Sequence, residues 1–206
     1  MPEVTAKDVQ RLRQVAGVGM MDAKKALVET DGDFDKAIDA LRIKGLAKVA
    51  KRAGEREANQ GTIGTYLHVQ AERPVTGVLV ELASETDFVA KNADFRQVAD
   101  DIAMHIAWGK PRWIRRDEVD PAVLAKEKEI IGLQAKEEGK PDNIIPKVVE
   151  GRVKAFFEEY VLYDQKFVNS EKFEGTVEDL VNSLAIRMGE NISVRRMARL
   201  SIGEQD

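Results

Sequence analysis

Apolar residues recur at helical spacing through the first part of the chain. Val9, Leu12 and Ala16 fall on one stripe behind Thr5, a residue type suited to capping a helix start. Gly17-Val18-Gly19 interrupts that stripe, and Ala23, Ala26 and Leu27 mark a second one over about Met21 to Thr30. Asp31-Gly32-Asp33 supplies a turn and a cap. Phe34, Ala37, Ile38 and Leu41 then stand at i, i+3, i+4 and i+7 of a third helix, predicted to end at Gly45. Helices this short are not stable alone, so residues 1–45 are expected to pack as a small three-helix bundle.

The pattern changes after that. Residues 46–61, LAKVAKRAGEREANQG, are small and charged and read as a basic helical linker fraying toward Gly61. Lys48, Lys51, Arg52 and Arg56 lie close together there, and both a solvated connector and a phosphate-contacting patch fit them. From Ile63 to Val69, and again through Val78, Val80 and Leu82, the pattern alternates, with Ala71-Glu72-Arg73-Pro74 between, as in an antiparallel hairpin. Phe95, Val98, Ala99, Ile102 and Ile106 restore a helical stripe that stops near Gly109-Lys110-Pro111.

Asp120-Pro121 opens the next helix, which runs to Gly139-Lys140-Pro141. A second one returns from about Asn143 to Tyr160 with Ile145, Val149, Val153 and Phe156 on one stripe, so a helical hairpin projecting from the core is predicted at about 120–160. Thr176 caps a helix carrying Leu180, Val181, Leu184 and Met188, and Ile192, Val194, Ala198, Leu200 and Ile202 alternate in a final strand. The fold class is therefore α+β: an N-terminal bundle, then a core over 62–206 of a three-stranded antiparallel sheet packed with helices.

Composition narrows the functions. Lysine plus arginine number 32 against 36 acids, a formal net charge of −4, which argues against broad phosphate-backbone binding as the main activity. The chain has no cysteine, hence no disulfide, no thiol nucleophile and no Cys-based zinc site. No apolar run reaches the ~18 residues of a membrane helix, and MPEVTAKDVQ lacks a secretory apolar stretch. A cytoplasmic address without membrane contact is the expectation. Catalytic signatures are missing: there is no HExxH, GxSxG or GxxxxGK[ST]. Gly17-Val18-Gly19 follows no strand and is not a phosphate loop. The two histidines, His68 on a strand and His105 on an amphipathic helix, read as structural. No enzyme activity and no cofactor or metal is expected.

Two features remain. Met20 and Met21 beside a glycine turn are either core filler or an adaptable contact surface. The corner ELASETDFVAKN at 81–92 sets Phe88 beside Asp87 where a strand becomes a helix. Phe88 could staple that helix to the sheet, and Asp87 could serve its N-terminus, where a negative charge is favourable.

Thr5-Ala6-Lys7-Asp8-Val9-Gln10-Arg11-Leu12-Arg13 followed by GVGMMDAKKAL closely resembles the N-terminal signature of the bacterial elongation factor Ts family. ETDFVAKN resembles that family's second signature, the TDFV element, and DIAMHIA, EGKP, VEGR and GENISVRR follow in matching order. Long members carry a duplicated core. This chain has room for one core plus the hairpin and is similar to the short form. Ala23 stands where the signature often has Cys.

The resemblance implies a guanine nucleotide exchange factor for elongation factor Tu. Thr86, Asp87, Phe88 and Val89 would enter Tu beside its Mg²⁺ and phosphate site, with Phe88 an apolar wedge and Asp87 a rigidly presented acid. Arg13, Met20, Met21 and Lys24 would dock on the GTPase domain through a bundle of the ubiquitin-associated type. His68 would lie near Tu's distal domain. Short members tend to dimerise, which implies a homodimer, non-covalent in a chain without cysteine. Direct nucleic-acid contact is not implied. Two other readings stay open on the residues alone: a generic helical recognition module, supported by the bundle, and an RNA- or ribosome-binding protein, supported by the Lys48–Arg56 patch.

Overall fold

Thr5 starts the first helix as its sequence position suggests: its Oγ1 accepts a hydrogen bond from the Asp8 amide at 3.2 Å, and Asp8 Oδ2 accepts from the Thr5 amide at 3.2 Å. The computed structural model describes residues 4–204, and all structural statements concern those. Among the described residues there are eight α-helices and three strands. The chain divides into two compact units: Met1–Gly61 with Ala83–Lys91 and Val181–Ser193, and Thr62–Leu82 with Asn92–Leu180 and Val194–Asp206.

The first unit opens with α1 (Ala6–Ala16), α2 (Met20–Glu29) and α3 (Phe34–Glu55). Val9, Leu12, Ala23, Ala26, Leu27, Ala37 and Leu41 are buried together, so the three apolar stripes close one small core. The end predicted for α3 at Gly45 is corrected: the helix runs on to Glu55 and stops at Arg56, whose backbone is extended. Gly45 is a contact glycine and not a cap. A Cβ there would lie 2.6 Å from Ile186 Cδ1 of the same unit, so only a hydrogen lets that side chain approach. The unit also holds α4 (Asp87–Ala90) and the last turns of α8 (Val177–Met188).

The second unit is built on the sheet β1 (Gln60–Gln70), β2 (Arg73–Ser84) and β3 (Ser193–Ser201), in that spatial order. A two-residue turn joins β1 to β2, with φ of 48° at Ala71 and 65° at Glu72, the backbone sense that matches the twist of a hairpin. Val78, Val80 and Leu82 point inward as the alternation requires. Helix α5 (Ala93–Gly109) lies against that inner face and buries Phe95, Val98, Ala99, Ile102 and Ile106. A Cβ at Gly64 of β1 would meet the Ala99 carbonyl oxygen at 2.2 Å, so this glycine sets how closely α5 approaches the sheet.

The outer sheet face departs from expectation in β3. Arg195 and Arg196 are both exposed, and beyond them the parity reverses: Met197, Arg199 and Ser201 turn inward while Leu200 and Ile202 face out, exposed by 74% and 65%. Two successive outward residues shift every later side chain to the opposite face. Arg196 Nε donates to Glu81 Oε2 on β2 at 2.6 Å, and Thr76 Oγ1 lies 2.8 Å from Ser201 Oγ. Helices α6 (Pro121–Glu137) and α7 (Ile145–Tyr160) form the helical hairpin, joined across its tip by Arg152 and Glu138 at 2.7 Å. Val119, Phe156 and Val161 are buried together at its base.

His105 is buried in this unit. Its Nδ1 accepts from the Val168 amide at 3.1 Å, which leaves Nε2 to donate to Gln165 Oε1 at 2.9 Å. Burial lowers its pKa below the usual value.

Candidate functional site

The corner at the end of β2 is a braced turn. Thr86 caps α4, its Oγ1 accepting from the Val89 amide at 3.3 Å. The same hydroxyl donates to Glu190 Oε1 at 2.6 Å, while Glu190 Oε2 accepts from the Glu85 and Thr86 amides at 3.0 and 3.2 Å. Glu85 in turn accepts from the Asn191 amide at 2.6 Å and from Arg56 at 3.2 Å. Asn191 Nδ2 donates to the Arg56 carbonyl at 2.7 Å. One carboxylate thus satisfies three donors on two successive residues, and a second ties the turn to the end of α3.

On this brace Val89 and Ala90 point into the protein, and Phe88 points out, 81% exposed. An unburied Phe forgoes about 1.5–3 kcal/mol that a partner could recover. Asp87 is exposed and pairs with Lys91 at 2.6 Å. The Lys91 hydrogen bond and charge hold the Asp87 carboxyl below the usual carboxylate range, so it is ionised at neutral pH. A surface pair of this kind is worth little, so Asp87 is available to exchange Lys91 for another cation or donor. The staple reading of Phe88 does not fit this geometry, because the ring is not packed under the helix.

Arg13, Met20, Met21 and Lys24 are all exposed on the bundle, Met21 by 77%. The methionines are therefore a surface and not core filler. Met20 and Met21 form the first turn of α2, fixed by the buried Ala23, Ala26 and Leu27 behind them. The corner and these four residues belong to the same compact unit. His68 belongs to the other unit: it is half-buried on β1, with Nδ1 3.3 Å from the Tyr66 hydroxyl and its ring edge-on to Trp108 at 5.1 Å. Sequence reasoning missed Glu190 and Glu85. GENISVRR was noted as a motif, yet nothing local tells that its glutamate grips a turn 104 residues earlier.

Among the described residues no group of three or more His, Asp or Glu side chains is placed to hold a metal ion, and no helix is long and apolar enough to cross a membrane.

Comparison with known proteins supplies what the geometry alone does not. The family model described as Elongation factor TS matches residues 41–174. A protein named Elongation factor Ts from Syntrophomonas wolfei is 52% identical over 201 residues, spanning 98% of this chain and 91% of that protein. One of the same name from Geotalea daltonii is 49% identical, with 98% and 90% covered. Another, from Thermosipho melanesiensis, is 46% identical, with 98% of this chain and all 100% of that protein covered.

Proposed function

This chain belongs to the elongation factor Ts family of translation elongation factors, and from that premise we propose that it is a guanine nucleotide exchange factor for elongation factor Tu. The observation that carries the reading is Phe88, an aromatic ring left 81% exposed on a turn that two carboxylates brace. Ordering a turn while exposing its largest apolar side chain favours a partner over the free protein.

Exchange requires no bond making by this chain, and it is not an enzyme in that sense. A GTPase holds its nucleotide through backbone amides around the phosphates and a bridging Mg²⁺. Mg²⁺ tolerates little departure from octahedral geometry, so a wedge that displaces its ligands loosens GDP. Phe88 supplies the wedge, Asp87 the adjacent fixed charge, and Thr86 and Val89 anchor both from the protein side. Arg13, Met20, Met21 and Lys24, on the bundle of residues 1–45, dock on the GTPase domain, and His68 with Trp108 makes a weaker contact from the core over 62–206. Residues 46–61 carry the bundle on a basic helix. By linkage, the factor weakens nucleotide as much as nucleotide weakens the factor, so incoming GTP releases it. The protein acts in the cytoplasm.

A non-covalent homodimer is part of the same proposal. Ile63, Leu67 and Val69 of β1, Leu79 of β2, and Leu200 and Ile202 at β3 are each more than half exposed on the outer face of the sheet. An apolar face of this extent favours a second copy.

Release of a fluorescent GDP analogue from Tu, timed with and without this protein, tests the function. Catalytic amounts should accelerate release, and Phe88→Ala should remove most of the acceleration. An unchanged release rate with the folded wild type would overturn the proposal.

A further inference from the structure

The basic residues of α3 from Lys44 onward, with Arg56 at its end, divide in the structure. Lys51 pairs with Glu55, and Arg56 with Glu85. The others turn to one place. Lys44, Lys48 and Arg52 stand at i, i+4 and i+8 on one face of α3, and with Arg187 near the end of α8 they line a cavity of about 240 Å³ within the first unit. Like charges at this spacing oppose the helix that carries them. The carboxylate lining the cavity is Asp22, and both lysines share it, Lys44 at 3.3 Å and Lys48 at 3.9 Å. Arg52 donates to the Ala185 carbonyl at 3.3 Å, and among the described residues neither Arg52 nor Arg187 meets a carboxylate. Four cations thus face one acid. Gly19 lines the same cavity and caps α2 without a side-chain hydrogen bond, so the amides of that helix start add to the positive side.

We infer that this cavity is a binding site for a small phosphate-bearing anion carrying one or two phosphoryl groups. The volume, about 240 Å³, is enough to seat such a group. Two lysine ammoniums and two guanidiniums supply the point charges and planar donors that phosphate oxygens take. Negative charge here would relieve the repulsion along α3 and join α3 to the Gly17–Gly19 turn and the end of α8. That turn leads into Met20 and Met21, so occupancy would stiffen the segment proposed to dock. The inference does not depend on the exchange proposal.

Calorimetric titration of the full chain with pyrophosphate, at an ionic strength held constant with sodium chloride, tests it. Saturable binding at one site is expected, with Kd on the order of 0.1 mM or tighter. Lys48→Gln should weaken it by about tenfold or more, Lys44→Gln likewise, and Lys51→Gln should leave it unchanged. Circular dichroism confirms that each variant is folded. Absence of saturable binding, or equal losses in all three variants, overturns the inference. A short single-stranded RNA that binds more tightly than pyrophosphate with the same Lys48 dependence also overturns it, in favour of a nucleic-acid surface.

Discussion

Thr86 Oγ1 donates to Glu190 Oε1 at 2.6 Å, with Thr86 exposed and Glu190 half-buried. The bond spans 104 residues of chain and fixes the turn from which Phe88 protrudes. Replacing Glu190 by Ala removes the shared acceptor of Thr86 and Glu85 and should cost about 1–3 kcal/mol. In a protein of this size that lowers Tm by about 2–4 °C per kcal/mol. On the proposed function, the GDP-release rate should fall further than the stability loss explains, because Phe88 would no longer be held. Glu190→Gln, which keeps an acceptor oxygen, should recover part of both. Melting and stopped-flow release on the same samples separate the effects, and full exchange activity in Glu190→Ala would count against the brace.

Phe88→Ala should leave the free protein within about 0.5 kcal/mol of wild type, since surface truncations cost little. A packed Phe would cost about 3–5 kcal/mol. Exchange should drop while docking through Arg13 and Met20 is partly retained. Asp87→Ala should act the same way more mildly. A large fall in Tm with normal exchange per folded molecule would restore Phe88 to a packing role.

Gly45→Ala should destabilise although alanine is the better helix former by about 1 kcal/mol. Its methyl carbon would sit 2.6 Å from Ile186 Cδ1 and 3.0 Å from its Cγ1, so this half-buried side chain must give way, and that should outweigh the gain in helix propensity only narrowly. Ile186→Ala in the same chain removes both carbons, so Gly45→Ala should be stabilising in that background. Denaturant unfolding of the two single variants and the double variant decides it. A Gly45→Ala change of the same sign and size in both backgrounds would show that Ile186 does not crowd α3 there.

Stability should depend on pH through His105. Burial lowers its pKa in the folded state below the unfolded value of about 6.5. The unfolded chain therefore takes up the proton first as pH falls. The contribution is complete above about 6.5 and is lost as pH drops from there toward the folded pKa, at up to about 1.4 kcal/mol per unit. Protonating Nδ1 would also break the bond from the Val168 amide. Urea unfolding between pH 7.5 and 5.5 should show the slope in wild type, and a His105→Gln chain should show less of it. Equal slopes would assign the effect elsewhere.

The outer sheet face should set the oligomeric state. Ile63→Lys with Leu200→Lys places charge on two positions exposed by 54% and 74%, so the fold should survive. Sedimentation across micromolar concentrations should show a dimer for wild type and a monomer for the double variant. Wild type that is monomeric throughout would remove the dimer.

What periodicity carries was readable in advance. The Thr5 cap, the Phe95–Ile106 stripe and the inward face of Val78, Val80 and Leu82 all follow from local spacing. The corner stood out from its residues, but its role was expected only through resemblance, because an apolar ring on a turn is equally compatible with packing until its surroundings are known. Two things escaped. Gly45 reads locally as a stop, and only the approach of Ile186 from far along the chain explains its presence inside a helix. The grip of Glu190 is a long-range pairing of polar groups, and polar pairing leaves no period to read. The reversal in β3 escaped for a related reason: two adjacent arginines shift the register without disturbing the apolar spacing.

The unbroken course of α3 through Gly45 has a kinetic consequence. At 22 residues it is a rod of about 33 Å, with no hinge between the bundle and the residue that meets Glu85 beneath the corner. A bundle swinging on a flexible tether would leave the corner to search for its target anew after each docking event. On a rod, the proposed engagement of Met20 and Met21 would make the proposed contact at the corner intramolecular, at an effective concentration set by the stiffness of α3. Glycines introduced at Ala47 and Ala50, both exposed, would soften the rod while leaving each contact surface intact. The encounter would then lose its two-point character before either point lost its own affinity.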